Sequence, residues 1–143
     1  MNAKAEKFQN YLNEKEIHVF ETEEIEGDER GTAVFRSYIT VEGQRLPTVL
    51  ILDNSVFAVV RVQISPKALT EENRAEVLGI VNEQNSKYKP FKLYFNEENN
   101  LLVDFCTVIE NDDLNGDTIY LMFDVVINYL NENYRELMKA VWK

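Results

Sequence analysis

The chain has 143 residues, 45% of them hydrophobic, with five glycines and three prolines, a size and composition that exclude a fibrous or disordered chain and suit one ordered domain. Its 25 acidic residues against 15 Lys and Arg give a formal charge of −10, which opposes general binding to nucleic acid or anionic membranes. The single Cys106 excludes an intramolecular disulfide. No apolar signal core opens the sequence, so a cytoplasmic location is the expectation.

In chain order, Ala5, Phe8 and Leu12 fall at helical spacing within residues 3–14, which predicts a short amphipathic helix. A strand is expected over Ile17–Ile25, with Ile17, Val19 and Ile25 on one face and His18, Phe20 and Thr22 on the other. "EGDERG" (residues 26–31) has turn composition, residues 32–41 alternate as a second strand, and "EGQR" (residues 42–45) reads as a second turn. "LPTVLILD" and "VFAVVRVQI" follow as a strand pair broken at Asn54 and Ser55. Pro47 lacks the N–H a ladder needs, so it should mark a strand start or an edge.

The period then changes. Thr70 stands as a cap before "EENRAEVLGIVNEQN", whose glutamates favour a helix N-terminus. Val77, Leu78 and Val81 are its expected buried stripe, and Gly79 costs about 1 kcal/mol in mid-helix unless a close packing contact needs it. Phe91, Leu93 and Phe95 are answered by Leu101, Val103 and Phe105 across the polar turn "NEENN" (residues 96–100), a hairpin. The longest helix covers residues 117–141, with Ile119, Phe123, Val126, Leu130, Tyr134, Leu137 and Val141 on one stripe. Met122, Val125 and Tyr129 widen the apolar arc to roughly 220° at about 100° per residue. That surplus fits either a wide monomer core or an interface with a second chain. The order is α-β-β-β(-β)-α-β-β-α: an α+β domain whose antiparallel sheet has five or six strands flanked by three helices.

Motifs for chemistry are sparse. His18 is the only histidine, which excludes a two-histidine relay within one chain. Cys106, beside Asp104 with no sequence-local base, reads as an inert packed thiol rather than a nucleophile. Asn111, Asp113, Asn115 and Gly116 imitate the start of a calcium loop, but Met122 stands where a bidentate Glu belongs. A turn and helix N-cap therefore accounts for Asp113, Asn115 and Asp117 better. The acidic run "ETEEIEGDE" (residues 21–29) singles out no carboxylate pair. No metal or cofactor is expected and no catalytic residue is assigned. A rival reading is a small-molecule sensor or cryptic enzyme, with Tyr38, Tyr94, Tyr120 and Tyr129 as polar handles in a pocket between sheet and helices.

The segment from Glu76 to Ile109 resembles the core of the YbjN family of bacterial proteins: an apolar residue, then Asn82 and Asn85, then a strand pair joined by an acidic turn. Ile80–Val81 stands where that pattern has Leu beside the first Asn. The strand-rich first half and the long helix after "NDDLNGDT" are also similar. That family resembles the type III secretion chaperones in fold, often pairs as dimers, and includes candidate regulators without an established enzymatic activity. The resemblance implies a non-catalytic, chaperone-like binding or regulatory module. The expectation is a homodimer with a protein or unfolded-segment client, in which Asn82 and Asn85 are structural.

Overall fold

The structure is a computed structural model that describes residues 1–142. It is α+β, with helices α1 (Ala3–Glu14), α2 (Arg74–Lys87) and α3 (Gly116–Val141). The strands are β1 (Glu21–Glu24), β2 (Ala33–Val41), β3 (Gln44–Leu52), β4 (Phe57–Ser65), β5 (Phe91–Phe95) and β6 (Leu101–Val108). They form one antiparallel sheet, as the alternating segments predict, and its strand order, which those segments leave open, is β1-β2-β3-β4-β6-β5.

The core lies on the sheet face that the helices cover. Strands β2, β3 and β4 alternate buried and less buried residues, sending Phe35, Leu50, Leu52, Val60, Val62 and Ile64 inward. Phe8 of α1 meets Phe35 and Phe20 edge to face at 5.0 and 5.7 Å. The hairpin register is as read from the sequence: Phe91 opposite Phe105, Leu93 opposite Val103, Phe95 opposite Leu101.

The first strand is shorter than expected. It spans only Glu21–Glu24, with all four side chains exposed. Ile17 and Phe20 pack on the core, while Val19 is 64% exposed. The segment before Glu21 leaves the sheet to reach α1, so strand alternation does not govern it. The second turn is also tighter. Glu42 and Gly43 alone join Val41 to Gln44, both at positive φ, as a two-residue hairpin that follows the sheet's twist requires. Pro47 sits inside β3, but pairing with β4 ends at Thr48 opposite Val62. Its missing N–H therefore interrupts no ladder, and Pro47 occupies a local edge.

Polar pins fix the helices. Asn2 accepts from Ala5 N–H and donates to the carbonyls of Gly31 and Leu52, both at 2.9 Å. The fully buried Lys4 donates to the carbonyls of Ser55 and Phe57 at 2.6 Å, and burial lowers its pKa from the ordinary value. Asn73, rather than Thr70, is the cap residue of α2. The two residues bond reciprocally, and the Asn73 amide also donates to the carbonyls of Ala68 and Val141. The buried stripe of α2 is Val77, Val81 and Gln84. Leu78 is 41% exposed, because α2 covers the sheet margin and buries a narrow face. A Cβ at Gly79 would meet nothing within 4 Å, so no packing contact explains that glycine. The crowded glycine is Gly116, where a Cβ would fall within the Tyr11 ring.

Candidate binding surface

The second face of the sheet carries no helix. Register fixes two rows across it. One reads Glu21, Arg36, Val49, Arg61, Asp104 and Lys92; the other reads Glu23, Val34, Ile51, Val59 and Cys106. Phe57 and Val108 stand opposite each other, 48% and 59% exposed, and Tyr38 is 52% exposed. Contiguous exposed apolar groups mark contact surfaces where single ones do not, and Phe57 with Val108 forms such a cross-strand pair.

Its polar members are built in. Arg61 forks onto Asp104 at 2.8 and 2.9 Å, and the Tyr94 hydroxyl lies 3.1 Å from both carboxylate oxygens. The buried Asp104 is thus fully paired. The carboxylate raises the Arg61 pKa through its hydrogen bonds, and burial raises that of Tyr94. Such a group orders the face; it leaves no base free for proton transfer. Cys106 is an exposed thiol, not a packed one. Partial burial and the Asp104 charge push its pKa up, disfavouring the thiolate.

Beside β1 the face ends in a groove of about 430 Å³, lined by His18, Glu21, Arg36, Tyr38, Arg45 and Thr48 among others. Arg36 pairs with Glu23 at 3.0 Å. Arg45 lies over the Tyr38 ring, 4.0 Å from its centre, and makes no ion pair among the described residues.

The remaining sequence candidates fall elsewhere. Asn85 donates to the Leu93 carbonyl at 3.0 Å and accepts from the Leu93 N–H at 2.8 Å, so its amide pairs with β5 as a neighbouring strand would. Asn82 is exposed and its side chain makes no hydrogen bond among the described residues, so only one of the two ties helix to hairpin. Met122 and Tyr129 are buried in this chain's own core at 3% and 4% exposure, with Val125 half-buried. The wide arc of α3 is therefore taken up within the chain, where α2 packs on it. Tyr129 donates to Gln84 at 2.9 Å and meets Tyr88 and Phe91, while Tyr120 joins the distant Tyr11–Phe20–Phe123 cluster. The four tyrosines of the pocket reading share no ring contact or hydrogen-bond partner.

Asn115 caps α3 by accepting from Asp117 N–H at 2.9 Å, and Tyr11 donates to Asp117 at 2.8 Å. These residues act as a turn and cap, as expected. Among the described residues no group of three or more His, Cys, Asp or Glu side chains is arranged to hold a metal, and no helix is long and apolar enough to cross a membrane. Sequence reasoning missed Arg45 and the paired Asp104, because both depend on cross-strand register rather than local spacing. No protein-family model matches the chain, and neither does any curated protein sequence.

Proposed function

We propose that the chain is a non-catalytic, chaperone-like binding module that holds another polypeptide on its helix-free sheet face, the role implied by its YbjN resemblance. The observation that carries this reading is the exposure of Phe57, Val108 and Tyr38 on the side of the six-stranded sheet opposite the helices and the core. A partner covering those rings and methyls gains roughly 25 cal/mol for each Å² of apolar area removed from water. The homodimer belongs to the same reading, with a second copy meeting the sheet rather than the occupied arc of α3.

Photo-crosslinking in the native cell tests it, with a benzophenone amino acid placed at Phe57, at Val108 and, as a control, at Asp124 on the exposed side of α3. Discrete protein adducts at the two sheet positions and none at the control are expected. No adducts, or equal labelling at all three, would sink the proposal. Light scattering after size exclusion reads the oligomeric state in parallel.

A further inference from the structure

The two edges of the sheet differ. At β5, the edge N–H and C=O of Leu93 are taken by Asn85. At the other end, β1 pairs with β2 only from Ala33 to Arg36. The Thr32 carbonyl accepts from Ile25 N–H at 2.9 Å, so it points to the β1 side. Backbone direction alternates along a strand, so Tyr38 and Thr40 point the same way, past the end of β1. Their N–H and C=O groups have no partner among the described residues.

Chemistry beside this stretch is selective. On the open side stand Arg45, stacked on Tyr38, with His18, Glu21 and the Glu23-paired Arg36 in the same groove. On the helix side stand Ile39 and Phe20, both packed partly on the core. An incoming strand would direct alternate side chains to these two environments. In a chain of net charge −10, a guanidinium without a carboxylate partner at a strand edge favours an acidic occupant.

We propose that β2 accepts an extended acidic segment of a partner polypeptide as an added strand. Tyr38 and Thr40 supply four backbone hydrogen bonds, and Arg45 receives a carboxylate side chain. The inference rests on the polypeptide-binding reading above and names the edge and the chemistry of the partner. Residues of that partner alternate acidic and apolar, with the carboxylates toward Arg45.

A fluorescein-labelled, end-blocked peptide alternating glutamate and valine tests this by fluorescence polarisation. It should bind, and the matching lysine–valine peptide should not. Arg45→Glu should weaken binding at least about tenfold, equivalent to about 1.4 kcal/mol. Thr40→Pro should do the same, since it removes an edge donor that faces away from β3. Methylating alternate peptide nitrogens should abolish binding without altering the protein, which covers the case where Thr40→Pro unfolds. Equal binding of the two peptides, indifference to N-methylation, or competition by free glutamate as effective as unlabelled peptide would each overturn the proposal. So would a wild-type dimer that Thr40→Pro turns into monomer, since the edge would then belong to a second copy. If the peptide fails while crosslinks at Phe57 and Val108 persist, this inference falls and the broader function stands.

Discussion

Gly79 and Gly116 look alike in the sequence and lie in opposite environments. Gly79 has open space around its absent Cβ and no positive φ, so Gly79→Ala should stabilise the fold by about 0.5–1 kcal/mol. Gly116→Ala drives a methyl into the Tyr11 ring and should cost about 1–3 kcal/mol. Urea denaturation of the two variants checks both signs, and Tyr11→Ala should relieve the second. The asparagines divide in the same way. Asn85→Ala removes two bonds to Leu93 and should lower stability by about 0.5–1.5 kcal/mol. Asn82→Ala should stay within about 0.5 kcal/mol. Helical spacing shows that such residues share a face. Which of them meets a strand depends on where β5 lands, and that is set by contacts distant in sequence.

Elements were legible where one period dominates. The β5–β6 pairing could be read because Phe91, Leu93 and Phe95 alternate against Leu101, Val103 and Phe105 across a polar turn, and burial of one face fixes register. The stripe of α3 was legible for the same reason. The α2 stripe was legible only in part: Val77 and Val81 are buried as expected, but its third buried position is Gln84, a polar residue made tolerable by the Tyr129 hydroxyl. Leu78 looked like a core residue but lies off that line. The α2–α3 contact gives a pH prediction. Burial holds the Tyr129 pKa well above its ordinary value of 10, so the folded state keeps a proton that the unfolded chain releases. Stability is therefore full below that value and falls as pH rises through it. Denaturation between about pH 9 and 11 should show this decline, less steeply in Tyr129→Phe.

For the whole molecule, composition indicates an acidic protein, and the fold distributes that charge unevenly. Arg36, Arg45, Arg61 and Lys92 all reach the helix-free face, because β2, β3, β4 and β5 each place a basic residue at an outward position. Nothing in local sequence shows this, since the four are scattered over more than fifty positions. Topology also separates the pocket tyrosines and buries Met122 and Tyr129, which no periodicity argument could decide in advance. The clamp by Asn85 has a further consequence. A sheet with two free edges can propagate from chain to chain without limit, as fibrils do. With the β5 edge sealed at its central residue and only the end at β1 and β2 left open, a copy has no second free edge through which to extend the sheet. Losing Asn85 would therefore cost more than a few hydrogen bonds: it would turn a chain-terminating unit into a polymerisable one.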